Sequence, residues 1–107
     1  MTAQFAIVVQ AQADFICLIL KGELDLAALP DLKTTFARIA GDHPERAVQV
    51  DLTNATFIDS TIVGALVTAR RDAAARGTSL TVTNARGLVE RVLIVSGVHA
   101  TLGDPEL

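Results

Sequence analysis

The chain has 107 residues, half of them hydrophobic and a fifth charged, with a formal net charge of −3 at pH 7. That length predicts one domain over residues 1–107. The apolar share supports a packed core and excludes a disordered chain, and the acidic balance lacks the basic footprint that nucleic acid demands. With four Phe, no Tyr and no Trp, the core must be aliphatic, and stacking platforms for bases are missing.

FAIVV (5–9) and FICLILKG (15–22) read as strands joined through QAQAD as a hairpin. The second run is apolar on both alternating sides, which predicts a strand covered on both faces. Cys17 lies inside it; as a lone cysteine it cannot form an internal disulfide, and it is expected to be a small buried hydrophobe. LAALPDLKTTFARIAG carries Leu29, Leu32, Phe36 and Ile39 as one helical stripe, with Pro30 near its start and Gly41 near its end.

AVQVDL (47–52) predicts a third strand, followed by a loop and then a helix over STIVGALVTARRDAAARG. There Ile62, Val63, Leu66, Val67, Ala69 and Ala73 form the inner side and Gly77 the stop. Arg70, Arg71 and Arg76, with Asp72 among them, read as the solvated face of that helix. SLTVTN predicts a fourth strand. ARGLVERVLIVSG predicts a helix with Leu88, Val92 and Val95 as its stripe and Gly97 as its stop, and the tail VHATLGDPEL supplies one short strand at most.

Alternation of this kind predicts an α/β layer fold: a small, mostly parallel or mixed sheet of four to five strands with three or more helices. No apolar run approaches membrane-helix length and no basic leader precedes the first apolar stretch. A cytoplasmic protein without membrane insertion is therefore expected.

TFIDSTIVGAL (56–66) sets Asp59, Ser60 and Thr61 between two apolar runs at a strand-to-helix junction, where function collects in open α/β sheets. Ser60 or Asp59 can be the helix N-cap, a purely structural role worth roughly 1 kcal/mol. The same place suits a phosphate, because a helix N-terminus carries free N–H donors and about half a positive charge. A phosphoserine there would add about −1.5 to −2 charges beside Asp59 without disturbing the packing below.

FIDSTIVGAL resembles the signature of the STAS family, the anti-sigma factor antagonists, in which a Phe-x-Asp-Ser-Ser/Thr-Gly-type motif opens a helix. LKGELDLAAL (20–29) is similar to the family's second hallmark, a Gly-Glu-Leu-Asp that ends the second strand. The resemblance implies a single STAS-like domain that is a binding protein and not an enzyme. Ser60 would be phosphorylated by an anti-sigma factor that is also a serine kinase. The unmodified chain sequesters that partner, the phosphorylated chain releases it, and a phosphatase resets the switch. Asp59 and Thr61 would frame the acceptor, while Glu23, Asp25 and Ile62 would lie on the partner-binding face. ATP belongs to the kinase, so no cofactor and no metal are expected in this chain, and the expected state is a monomer or weak dimer.

Ile62 stands where the family usually has Gly, and its bulk is expected to obstruct the kinase. The C-terminus leaves little space for the last helix that many members carry. A Ser60 triad with His43 or His99 lacks the Gly-x-Ser-x-Gly elbow, metal binding lacks ligands with one Cys and two distant His, and no phosphate-cradling Gly-Lys-Ser/Thr loop is present. The alternative is a STAS subunit that docks on a transporter ATPase, with Ser60 serving only as a cap.

Overall fold

Ten residues of alternating burial, FICLILKGEL, form the strand to which three others pair. The computed structural model describes residues 4–95. β1 (Phe5–Ala11) runs antiparallel to β2 (Phe15–Leu24), from Phe5↔Gly22 to Ala11↔Ile16. On its other side β2 takes two parallel partners in succession. β3 (Ala47–Asp51) lies along its first half and β4 (Ala55–Ile58) along its last residues. β5 (Leu80–Thr83) then pairs parallel with β3, giving a five-stranded mixed sheet.

β4 corrects the loop expected after the third strand. β3 and β4 both pair with β2, interrupted by the turn at Leu52, Thr53 and Asn54, where the Ala55 N–H donates to the Leu52 carbonyl at 3.1 Å. The register shifts between Gly22 and Glu23. Gly22 has φ +82°, its N–H donates to the Asn54 carbonyl at 2.9 Å, and a Cβ there would collide with the Gln4 carbonyl oxygen. Only glycine fits this crossing of β1, β2 and the turn.

α1 (Leu29–Asp42), α2 (Ser60–Ala75) and α3 (Gly87–Val95) follow β2, β4 and β5. They share one core with Ile16, Leu18, Leu20, Val48, Val50, Leu80 and Val82 from a single face of the sheet. Their apolar stripes explain this packing: Leu32 and Ile39 are buried in α1, with Leu29 and Phe36 packed against them. Ile62, Val63, Leu66, Ala69 and Ala73 are buried in α2.

Several expectations fail in detail. Phe15, Cys17 and Ile19 point from β2 to the other face and are only half-buried, so the strand is not equally covered on both sides. The Cys17 thiol is pushed up, first by desolvation and then by the Asp51 charge. It therefore stays protonated, the less reactive form. In α3 the inward residues are Val89 and Leu93, with Val92 packed beside them, whereas Leu88 is 54% exposed. Arg70 is half-buried and not simply part of a solvated face: it donates to the Leu80 carbonyl at 3.0 Å and ties α2 to β5. The Val95 side chain, Gly97, His99 and the tail strand lie outside the described residues.

Asp51 secures the loops at the strand ends. Its Oδ1 accepts from the Thr53 hydroxyl at 2.6 Å, the Thr53 N–H at 2.9 Å and the Asn84 amide at 3.2 Å. The bonds from Thr53 hold the carboxyl below its usual range, helped by Asn84 and by the Arg86 charge and opposed by partial burial. A lowered folded-state pKa stabilises above the ordinary carboxylate value, about 3.9, and this contribution is lost as pH falls through the folded value. Asp51→Asn should therefore flatten the acid side of a stability-versus-pH curve measured by urea unfolding. Parallel curves for the two proteins would contradict this linkage.

Candidate functional site

The pairing of β2 with β4 brings the two sequence motifs together. Glu23 lies opposite Phe57 and Leu24 opposite Ile58, so the next residues, Asp25 and Asp59, leave the sheet side by side. Leu24 and Ile58 are both fully buried and anchor this end. Asp25 is exposed and accepts a hydrogen bond from the Ala27 N–H at 2.9 Å, capping a 3-10 turn at Leu26–Ala28 that packs against α2.

Asp59, with φ −108° and ψ 178°, is the N-cap of α2, and its Oδ1 accepts from the Ile62 N–H at 3.0 Å. The cap choice left open between Ser60 and Asp59 is thereby decided. The Val63 N–H is taken by the Asp59 carbonyl at 3.1 Å. Ser60 is the first helical residue and is exposed. Among the described residues its hydroxyl makes no hydrogen bond, and the Ser60 and Thr61 N–H groups belong to the first turn, which has no intrahelical acceptors. Asp59→Ala should lower stability by about 1 kcal/mol, with Asp59→Asn close to wild type, in thermal unfolding. An unchanged melting temperature for Asp59→Ala would show that this cap is idle.

Glu23, Asp25, Asp59, Ser60 and Thr61 thus meet at one edge of the molecule. Ile62 does not join them. Its side chain is 0% exposed and belongs to the core, so the expected bulk against an approaching kinase and the expected contact with a partner are both corrected. Position 62 lies one turn before Leu66, on the inward stripe of α2.

Thr61, half-buried, faces a groove of about 530 Å³ between α1 and α2. Leu26, 64% exposed immediately after Asp25, adds apolar surface beside the acidic edge. Sequence reasoning missed it, although a Leu following the strand-ending Asp was its signal. His43 closes the far end of the fourteen-residue α1, about 20 Å along the helix from the end nearer Ser60, so no Ser60–His43 pair exists. No group of three metal-ligating side chains is found among the described residues, and none of their helices is long and apolar enough to cross a membrane.

The family profile described as Mlab, STAS domain matches residues 7–104. An anti-sigma factor antagonist from Mycobacterium paratuberculosis has a similar fold, with TM-score 0.81 at 21% identity over 92% of this chain and 82% of its own. The anti-sigma factor antagonist SpoIIAA in its unphosphorylated form gives TM-score 0.74 at 20% identity over 94% and 90% of the two chains. A murine solute carrier family 26 anion transporter contains the same fold within a longer chain, with TM-score 0.64 at 14% identity over 85% of this chain and 15% of its own. No curated protein matches this chain in sequence.

Proposed function

The chain belongs to the STAS domain family, and from that premise we propose that it is an anti-sigma factor antagonist regulated by phosphorylation of Ser60. In this reading the unmodified chain holds an anti-sigma factor that is also a serine kinase. The kinase transfers the phosphoryl group from its own ATP to the Ser60 hydroxyl, the modified chain lets go, and a phosphatase restores it. The chain itself performs no catalysis and works as a phosphoprotein in bacterial transcription regulation, in the cytoplasm.

The observation that carries this reading is an exposed Ser60 at the first position of α2 whose structural duty is discharged by Asp59. A hydroxyl with no cap to form can be modified without unmaking the helix start. The dipole and open amides of the first turn stabilise the added charge. Glu23, Asp25 and Asp59 already make this edge acidic, so a phosphate there concentrates negative charge on the surface a partner must desolvate. Leu26 gives the same surface an apolar contact.

Incubation with ATP and a candidate kinase, followed by intact-mass measurement, should show a gain of one phosphate that Ser60→Ala abolishes. No gain in mass would favour the second reading, a STAS subunit docking on a transporter ATPase. That reading is supported by the occurrence of this fold inside an anion transporter.

A further inference from the structure

We infer that β1 is a docking edge for a second copy of this chain, the two strands pairing antiparallel about a two-fold axis at Val8. This goes beyond the phosphorylation switch and does not require it. Among the described residues β1 ends the strand order and pairs with β2 alone. The Gln4 carbonyl accepts from the Glu23 N–H at 2.9 Å, and the Gln12 N–H donates to the Phe15 carbonyl at 2.8 Å. These two bonds join residues that face each other just beyond the two ends of the antiparallel register. Bonded and non-bonded positions alternate along such a strand. Ala6, Val8 and Gln10 therefore direct their amides and carbonyls to β2, while those of Phe5, Ile7, Val9 and Ala11 point away from the sheet.

A row of free main-chain donors and acceptors is a template for another strand, and edges that must stay single are guarded by charge, proline, bulges or shortness. β1 has none of these guards. Its seven residues, FAIVVQA, include no charge, proline or glycine, and its register to β2 runs without a shift. The edge at β5, by contrast, is only four residues long.

The strand's own symmetry selects a second copy as the occupant. Val8 is the midpoint of β1. A two-fold axis normal to the sheet there sets Ile7 opposite the partner's Val9 and Phe5 opposite the partner's Ala11, so each outward donor meets an outward acceptor. That operation also keeps both helix layers on one side of the joined sheet. Val9 lies opposite Leu18, on the helix side, yet is 46% exposed, so the helix layer stops short of it. The partner's Ile7 would cover it, and Val8 would meet its own copy on the other face. No like charges come together, because the strand carries none. A ladder of seven residues is about 24 Å long. Such a ribbon is smaller than the roughly 800 Å² per partner of a standard interface, so the dimer is weak and reversible.

The test is sedimentation equilibrium of the full chain from about 10 µM to about 1 mM, with hydrogen–deuterium exchange read by NMR at both ends of that range. No kinase or ATP is present, so the outcome is independent of Ser60 phosphorylation. A monomer–dimer equilibrium is expected, with a dissociation constant of about 100 µM. The Ile7, Val9 and Ala11 amides should exchange fast in the dilute sample and about fivefold more slowly in the concentrated one, while those of Ala6, Val8 and Gln10 stay protected in both. Val9→Pro removes an N–H that β2 does not use, and Val9→Lys puts a charge on the edge. Each should keep the wild-type circular dichroism spectrum and weaken dimerisation at least about tenfold. The inference is overturned by a chain that stays monomeric at the highest concentration, by Ile7, Val9 and Ala11 amides whose exchange does not depend on concentration, or by a dimer that folded Val9→Lys leaves intact.

Discussion

Ser60→Asp should abolish tight binding to the cognate kinase while shifting the melting temperature by no more than about one or two degrees. The two halves of this expectation rest on different observations. Stability is preserved because Ser60 is exposed and outside the core, and because a carboxylate in the first turn of a helix is neutral or favourable by about 0.3–1 kcal/mol. Binding is lost because the added charge joins Asp25 and Asp59 on a surface that must be desolvated, and like charges brought together in an interface cost several kcal/mol. A cost of about 3 kcal/mol corresponds to a loss of roughly two orders of magnitude in affinity. Ser60→Ala, which removes the acceptor and adds no charge, should bind constitutively. Calorimetric titration of the three proteins decides the matter: if Ser60→Asp binds as wild type does, charge at this position is not the switch.

Gly22→Ala should have the largest effect on stability. Alanine at φ +82° costs on the order of 1–3 kcal/mol from backbone conformation alone. The new Cβ would also displace the Gln4 carbonyl, which accepts the Glu23 N–H at 2.9 Å. Because the register shift after Gly22 sets Glu23 opposite Phe57 and Leu24 opposite Ile58, the substitution also loosens the alignment of Asp25 with Asp59. Urea unfolding should show a large drop in midpoint, and partner binding should weaken with it. A midpoint equal to wild type would contradict the crowding at this crossing.

Periodicity exposed the layer order and the inner faces of α1 and α2, because stripes such as Ile62, Leu66, Ala69 and Ala73 follow directly from helix geometry. Reading Ile62 as a partner contact was inconsistent with that stripe, and burial decides for the stripe. β4 escaped notice because four residues give too short a pattern, and its existence depends on pairing with the end of β2. The identity of the cap could not be read either: Asp and Ser are equally good N-caps, and only where β4 ends determines which of two neighbours receives the role. In α3 nearly every position is apolar, so the sequence offers several possible stripes, and packing beneath β4 selects Val89 and Leu93. Cys17 and Arg70 depended on their tertiary surroundings, desolvation and then the Asp51 charge for one and the Leu80 carbonyl for the other.

The direct measurement is the affinity of the anti-sigma kinase for this chain carrying one phosphate on Ser60, set against the unmodified chain in the same buffer, with both forms checked for equal melting temperature. The account predicts tight binding for the unmodified form and none measurable for the phosphorylated one. Equal affinities in two equally folded proteins would contradict it.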